Sequence, residues 1–218
     1  MYRQVLKVPE SLSKLRQRSS AIDVHSAEAS HIITDMLDTF RVLEGYGLAA
    51  PQIGIQKRVI FVSPRALGIG DEEALLMMNP VLDTSGEQQR VIEACFSVPY
   101  VHAYVSRFTN CSVSFTDEKG AERTLELSGF PAACLQHEVD HLDGNLYIDK
   151  VSRLQRSLLI KKINKAQKKE KQKEKERMRE FMEDHMSLEY GDGTKKTKIT
   201  HSKKRKAKTR RKRKRNRR

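Results

Sequence analysis

The stretch QHEVDHLDG, residues 136–144, places two histidines four residues apart, with a glutamate directly after the first. On a helix, residues i and i+4 lie on one face, so His137 and His141 can both direct an imidazole nitrogen at a single metal ion. Glu138 lies one residue round the helix, close enough to reach a metal-bound water. This H-E-x-x-H pattern predicts a metal site on a helix, which we expect to span about residues 131–141.

A third ligand distinguishes the classes of enzyme that use this pattern. In one class of metalloprotease it is a histidine six residues past the second histidine, where this chain has Tyr147. In another class it is a glutamate farther downstream, where the acids of this chain lie in a lysine-rich segment. A metalloprotease is therefore disfavoured, although it remains the alternative enzyme. A chance match on a polar helix is the alternative without chemistry.

The three cysteines are few and odd in number, which favours a reducing compartment over a disulfide framework. Cys134 shares a helix face with the histidines, but seven residues of helix rise about 10.5 Å, too far for ligands of one ion. Cys134 is better interpreted as pocket wall or core, and Cys111 as strand packing. Cys95, in the turn-like EACFSVP (93–99), is the plausible thiolate ligand from a different element.

Hydrophobic periodicity predicts the elements around the motif helix. Apolar residues recur at helical spacing over residues 25–43, and RVIFV (58–62) is a short β-branched strand. The segment SPRALGIGDEE (63–73) carries turn residues and is predicted as a loop. FTNCSVSFT (108–116) alternates apolar and polar residues and leads through a turn into RTLEL (123–127), which predicts a hairpin.

The formal net charge of +14 is unevenly distributed. Residues 151–218 contain 28 Lys and Arg against 8 Asp and Glu, so the rest of the chain is mildly acidic. Lys and Glu at helical spacing predict a charged helix over residues 153–190. Residues 191–218 have almost no apolar content to offset the entropy of ordering, so we expect a disordered polybasic tail. The sequence predicts neither a membrane span nor a secretory signal.

Three segments in this order, GYGLAAPQIG (45–54), EACFSVP and QHEVDHLDG, resemble the three motifs of peptide deformylases. The resemblance covers about residues 2–152 and is nearest in character to the organellar deformylases of eukaryotes. It implies an α+β fold, with small antiparallel sheets packed around a central helix that carries HExxH. It also implies a catalytic domain at 1–152, followed by the charged helix and the polybasic tail.

The activity that the resemblance implies is removal of the formyl group from the N-terminal formyl-methionine of newly made chains, with release of formate. The implied cofactor is a divalent metal, Fe(II) first and Zn(II) as an alternative. Carried over to this sequence, the metal ligands would be Cys95, His137 and His141. Glu138 would be the general base and later the acid.

The resemblance also assigns the groups that would contact the substrate. Gln52 and the backbone N–H of Phe96 would stabilise the oxyanion. The other substrate-binding positions would be Tyr46, Gly47, Val91, Ala94, His102, Phe130 and Ala133. Three positions depart from the family pattern: Ala94 stands where glycine is usual, Phe96 where leucine is frequent, and His102 where many bacterial members have arginine. These departures bear on substrate affinity and pocket size rather than on the reaction.

Partners and location follow from the same resemblance. The substrate would be a nascent chain leaving a ribosome, so we expect the basic C-terminal part to bind the ribosome through its RNA, since Lys and Arg neutralise phosphates irrespective of sequence. The alternatives are a charge run without a specific partner, and nuclear import, because KKRK (203–206) is similar to an import signal. A formylating translation system favours the mitochondrion, with the cytoplasm as the alternative. An RNA-binding protein with a degenerate deformylase domain is the non-enzymatic alternative.

Overall fold

The computed structural model describes residues 1–71 and 73–189 of the chain. Its helices are α1 (Leu12–Leu15), α2 (Ala27–Leu43), α3 (Pro64–Leu67), α4 (Phe130–Leu142) and α5 (Arg153–Glu189). Its strands are β1 (Gly47–Ala49), β2 (Val59–Val62), β3 (Leu75–Cys95), β4 (Val98–Thr116) and β5 (Glu122–Ser128). Two 3-10 turns lie at Ala50–Ile53 and Tyr147–Asp149. The tail predicted at residues 191–218 lies outside the described residues.

The five strands form one antiparallel sheet in the order β1-β2-β3-β4-β5. The predicted α+β class is confirmed, but the strands join in a single sheet instead of several small ones. The reason is the length of β3 and β4, which are 21 and 19 residues long. Register irregularities bend strands, so two long strands can curve along the whole domain and pair with the shorter strands at each end of the sheet. The β3–β4 pairing shifts register between Met78 and Val81, Ser85 and Gln88, and Glu93 and Cys95.

Strand β2 is buried on both faces because a helix covers each side of the sheet. Val59 and Phe61 pack in the same cluster as α2, whereas Ile60 and Val62 pack in the same cluster as α4. Successive residues of a strand point to opposite faces, so a strand covered on both sides is apolar throughout. Helix α4 contacts each of the five strands and is the central helix of the fold.

Helix α4 is bounded by two glycines whose backbone angles other residues rarely adopt. Gly129, with φ 63°, precedes the helix, and Pro131 occupies its first turn, where a missing N–H costs nothing. Gly144 follows the helix with φ 75°, and a side chain there would also meet the backbone of Arg16. One face of the helix is buried against the sheet through Ala132, Leu135, Val139 and Leu142. The predicted motif helix is therefore confirmed, and its packing holds the HExxH residues in place.

The segment 63–73, predicted as a loop, contains the short helix α3. The hydroxyl of Ser63 accepts a hydrogen bond of 3.4 Å from the backbone N–H of Ala66, and Pro64 occupies the first helical position. Gly68 ends the helix in the left-handed conformation at φ 70°. Capping residues at both ends stabilise a single turn that is too short for hydrophobic periodicity to reveal.

Helix α5 lies where a charged helix is predicted. The chain divides into two units: Met1–Lys169 is compact, and the second unit begins at Glu170. In the first unit, Leu159 and Ile163 of α5 are buried in a third apolar cluster. In the described part of the second, the helix continues to Glu189 and carries an ion pair of 2.7 Å between Arg179 and Glu183. The predicted domain boundaries stay predictions. Within the described ranges, no helix has the length and apolar character needed to cross a membrane.

Candidate active site

A cleft of about 630 Å³ opens between α4 and the end of β3. We call helix α4 the helix wall, and its residues that line the cleft are Phe130, Ala133, Cys134, His137 and Glu138. We call the β3 side the strand wall, which comprises residues 91–96. Segment 45–47, Gln52 and residues 98–101 complete the lining. Almost all of the site residues predicted from the sequence therefore meet in one place.

The three predicted metal ligands converge at this cleft. Cys95 Sγ lies 3.3 Å from Nε2 of His141, and one potential ligand atom from each of Cys95, His137 and His141 lies within 4.8 Å of the others. The two imidazole rings have centroids 4.9 Å apart and stand at 86° to each other. Metal bonds of about 2.0–2.3 Å to one sulfur and two nitrogens produce separations of this size. The cluster fits a four-coordinate metal that keeps one position open.

The electrostatics of Cys95 suit a metal ligand. Burial alone would raise the pKa of its thiol, but His141 and His137 beside it lower the pKa well below the ordinary value. A thiolate is the form of cysteine that binds metals. The structure thus brings the strand-wall cysteine to the two helix-wall histidines, as the sequence predicts.

Glu93 orients His137 and was not singled out from the sequence. Its carboxylate accepts a hydrogen bond of 2.6 Å from Nδ1 of His137, which leaves Nε2 for a metal. It also accepts two hydrogen bonds from Arg107, of 2.6 and 3.0 Å, and Arg107 donates a further one to Asp140. Burial alone would raise the pKa of Glu93, but the hydrogen bonds from His137 and Arg107 lower it to about 2. The carboxylate is therefore ionised and fixed behind the ligand.

Glu138 is buried beside the ligand cluster, with 6% of its surface exposed. Its Oε2 has no hydrogen-bond partner among the described residues. A buried, unpartnered carboxylate oxygen is costly unless a further polar group occupies the site. Burial raises the pKa of the Glu138 carboxyl, against the lowering influence of His137 and His141. A raised pKa suits a group that takes up a proton and returns it near neutral pH.

Gln52 is buried with its amide turned toward the ligand cluster. Its Oε1 accepts a hydrogen bond of 2.8 Å from the backbone N–H of Ala49, which fixes the orientation of the amide. Its Nε2 then lies 3.4 Å from both Cys95 Sγ and Ser97 Oγ. Phe96, the other predicted oxyanion residue, directly follows Cys95 in the turn between β3 and β4. Donor groups of both residues thus lie next to the predicted metal position.

The predicted substrate residues divide between the mouth and the interior of the cleft. Tyr46 and Phe130 meet edge to face at the mouth, with ring centroids 5.4 Å apart, and both rings are exposed. Val91 and Ala133 line the interior and are less exposed. The arrangement leaves an apolar space between the two walls, with an aromatic rim.

Two predicted positions on the strands have different surroundings. Ala94 is exposed on the strand wall and lines the cleft. His102 is exposed on β4 and does not belong to the cleft lining in the part of the chain that the structure describes. The structure therefore brings Ala94, but not His102, to the cleft.

The residues rejected as ligands have other contacts. Cys134 lies in the helix wall outside the ligand cluster, and burial raises the pKa of its thiol to about 12. Tyr147 is buried with its ring stacked on His137 at 6.2 Å, and its hydroxyl donates to the carbonyl of Val101 at 3.0 Å. Both side chains support the site without reaching a metal.

An α+β fold with a cysteine, two H-E-x-x-H histidines and an adjacent buried glutamate defines the class: a metal-dependent hydrolase. A family model described as "Polypeptide deformylase" matches residues 2–157. The peptide deformylase of Rhizobium meliloti (strain 1021) is 38% identical over 155 residues, which are 71% of this chain and 88% of that protein. The chain therefore belongs to the polypeptide deformylase family, as the three motifs predict.

Solved structures lead to the same family. A peptide deformylase from Legionella pneumophila has a TM-score of 0.70 and 30% identity, covering 78% of this chain and 98% of that one. A Met-Ala-Ser-bound class I type b peptide deformylase from Acinetobacter baumannii has a TM-score of 0.61 and 31% identity, covering 69% of this chain and 99% of that one. The likeness spans almost the whole length of each of these relatives.

Proposed function

We propose that this protein hydrolyses the formyl amide at the N-terminal formyl-methionine of newly synthesised proteins and releases formate. The observation that carries the proposal is the meeting of the Cys95–His137–His141 cluster with buried Glu138 and the amide of Gln52. Amide hydrolysis needs an activated water, a base and a donor for the oxyanion. The cluster would hold the metal that activates water, Glu138 is the base, and Gln52 is the donor for the oxyanion.

The residues that would hold the metal are Cys95, His137 and His141. A bound divalent metal lowers the pKa of water, so that hydroxide is available near neutral pH. We propose Fe(II), which the resemblance to deformylases implies, with Zn(II) as the alternative. A mixed thiolate and imidazole set suits both ions. Reconstitution of the metal-free protein under anaerobic conditions tests this choice. Higher activity with Zn(II) than with Fe(II) would contradict it.

Glu138 moves the proton in this proposal. Its carboxylate accepts a proton from the attacking water and delivers it to the leaving amine, for which its raised pKa is suited. Gln52 donates through Nε2 to the formyl oxygen as negative charge develops there, and the backbone N–H of Phe96 is the second donor. Because Ala49 holds the other end of the Gln52 amide, the donor needs no rearrangement during the reaction.

The methionine side chain of the substrate occupies the apolar part of the cleft, between Val91 and Ala133 and behind the rim of Tyr46 and Phe130. An apolar pocket suits a flexible thioether side chain. The relative from Acinetobacter baumannii binds Met-Ala-Ser. A cleft of about 630 Å³ has the size of a typical small-ligand site, which supports the same kind of peptide here.

The decisive assay measures formate release from formyl-Met-Ala-Ser by anaerobically purified, Fe(II)-loaded protein. We expect release by the wild type and a loss of about 100-fold or more in Glu138→Ala, because general acid–base catalysis contributes about this much. The metal content of the variant is the control, since Glu138 is not a ligand. Absence of release by the metal-loaded wild type would overturn the proposal.

The same assay addresses the alternatives. A metalloprotease would release internal peptide fragments, but Tyr147 stands where one protease class has its ligand, and its hydroxyl is bonded to Val101 instead. A degenerate domain would bind no metal, yet the described structure contains an intact Cys-His-His cluster. Both observations favour deformylation.

We further propose that the basic C-terminal part binds ribosomal RNA. The support is its charge, 28 Lys and Arg against 8 Asp and Glu over residues 151–218. Since Leu159 and Ile163 are buried with the first compact unit, the informative truncation ends at Lys169 rather than at residue 152. We expect the truncated chain to lose ribosome co-sedimentation at low salt and to retain deformylation of a free peptide. Unchanged co-sedimentation would contradict the proposal.

We also propose a mitochondrial location, because a deformylase needs a translation system that begins with formyl-methionine. The cytoplasm is the alternative. Incubation of the tagged full-length chain with isolated mitochondria tests the proposal, with protease protection as the readout. A chain that stays fully accessible to protease while a known precursor is imported would contradict it.

A further inference from the structure

Two glycines on either side of Tyr46 each face a side chain of the site. A methyl group built on Gly47 would overlap the side chain of Glu138, at 2.7 Å from Cγ and 2.5 Å from Cδ. A methyl group built on Gly45 would overlap the ring of Phe96, at 2.5 Å from Cε2 and 2.7 Å from Cζ. Real side chains do not approach so closely, so each glycine leaves space that its neighbour fills.

Backbone conformation does not explain these glycines. Helix α2 ends at Leu43, and its C-cap residue Glu44 itself adopts the left-handed conformation at φ 50°. Gly47 pairs with Val62 as an ordinary residue of β1 and has no positive φ. An alanine could adopt the same backbone angles at low cost. Among the contacts of the described residues, the one with the side chain of Glu138 is therefore the contact that requires glycine at position 47.

Glu138 depends on this contact for its position. Hydrogen bonds fix the direction of most buried carboxylates, but Oε2 of Glu138 has none within the described residues. The side chain projects from α4, whose opposite face is packed against the sheet, so the helix cannot move back to make room for it. The carboxylate packs directly against the Cα of Gly47, in the space that a side chain would occupy.

We propose that Gly47 is a positioning residue for the general base, and that its lack of a side chain seats the carboxylate of Glu138 beside the ligand cluster. This inference rests on the proposed function only for the role of Glu138. The alternative explanation of the glycine is close approach of the substrate backbone. The two explanations differ in which group the added methyl of Gly47→Ala would disturb.

The test is a double-mutant cycle on the full-length, metal-loaded protein, with Gly47→Ala, Glu138→Ala and the double variant. In the wild-type background we expect Gly47→Ala to lower the melting temperature by about 5 °C, the usual cost of overpacking in a chain of this size. In the Glu138→Ala background the added methyl enters vacated space, so we expect a shift of less than about 1 °C. Equal shifts in the two backgrounds would overturn the proposal.

Peptide binding distinguishes the two explanations for Gly47, positioning of Glu138 and contact with the substrate. We expect Glu138→Ala and the double variant to bind Met-Ala-Ser with affinities within about twofold, measured by calorimetry, because the added methyl group of the double variant occupies only the space that the Glu138 side chain has left. A tenfold weaker affinity of the double variant would instead assign Gly47 to substrate contact and overturn the proposal. Neither this measurement nor the melting temperatures require turnover, so they stand if the proposed reaction fails.

Gly45→Ala is the matched control, since it adds the same methyl two residues away against a different neighbour. Its destabilisation should persist in the Glu138→Ala background and be relieved by Phe96→Leu, because leucine lacks the outer ring atoms. In deformylation, Gly47→Ala should lower kcat by about 100-fold, the cost of a misplacement of about 1 Å, with KM unchanged within about twofold. A rise in KM with unchanged kcat would contradict the role of Gly47 in positioning Glu138.

Discussion

The helix wall and the strand wall of the cleft contribute to the site in different ways. The helix wall supplies His137 and Glu138, and His141 lies one turn farther along the same short helix. The strand wall supplies Cys95, which is 42 residues before the first histidine in sequence, and Glu93, which holds that histidine from behind. The positions of the helix-wall residues follow from local spacing on one helix, whereas the positions of the strand-wall residues depend on how β3 pairs with β4.

The walls also differ in what stabilises them. The face of α4 opposite the cleft is buried through apolar residues, so packing sets its position. Glu93 of the strand wall belongs instead to a buried charged network, in which Arg107 of β4 donates charge-assisted hydrogen bonds both to Glu93 and to Asp140 of α4. Breaking one member of such a network leaves an uncompensated buried charge. The strand wall should therefore be sensitive to charge, and the helix wall to volume.

The largest expected effect comes from removing one ligand on each wall. We expect Cys95→Ser and His141→Ala to lower metal affinity by more than 100-fold each, because loss of a ligand exceeds loss of a supporting group. Competition with a chelator of known affinity measures this, with activity followed in parallel. If the strand-wall variant kept its metal while the helix-wall variant lost it, the two walls would not form one site.

Glu93→Gln should have an intermediate effect. The amide keeps the shape of the side chain but removes the charge that pairs with Arg107 and accepts from His137, so we expect metal affinity to fall by about 10- to 100-fold. The same chelator competition measures it. Glu126→Gln, an exposed change on β5, is the matched control and should have no effect. Equal affinities of the two variants would show that the network does not support the ligand.

Ala94 should give the smallest effect, because its methyl group lies on the exposed side of the strand wall. If it narrows the space for a substrate backbone, Ala94→Gly should lower KM for formyl-Met-Ala-Ser by less than about tenfold, because an exposed methyl group counts for less than a methylene in an enclosed pocket. Ala94→Val is the matched change in the opposite direction and should raise KM. A KM that is the same in all three proteins would remove Ala94 from the substrate site.

The same contrast explains what the sequence could predict. The histidine pair and Glu138 follow from helical spacing. Cys95 was the plausible ligand once helix rise excluded Cys134 and strand packing accounted for Cys111, and the resemblance completed the ligand set. The role of Glu93 requires the register of β3 on β4, which spacing does not provide. Arg107 did carry a signal, because it follows Ala103 and Val105 at a period of two on the buried face of β4. A charge on such a face needs a partner.

The fold was predictable to a similar depth. The α+β class was predicted from the resemblance to deformylases, and the motif helix from its H-E-x-x-H spacing. The single sheet could not be predicted, because it depends on two strands of about 20 residues continuing through register shifts. Helix α3 could not either, since Ser63, Pro64 and Gly68 form it by capping rather than by periodicity.

The hairpin of β3 and β4 has a consequence for assembly of the protein. Cys95 is the last residue of β3, two turn residues before its partner Val98, and its side chain and that of Glu93 both contact the histidines of α4. A strand that paired one residue out of register would turn both side chains away from α4 and bring Ile92 and Ala94 inward. Such a molecule would keep most of its secondary structure but could not capture the ion. The metal bound per chain in a purified preparation therefore reports the fraction of chains in which β3 and β4 are paired in the correct register.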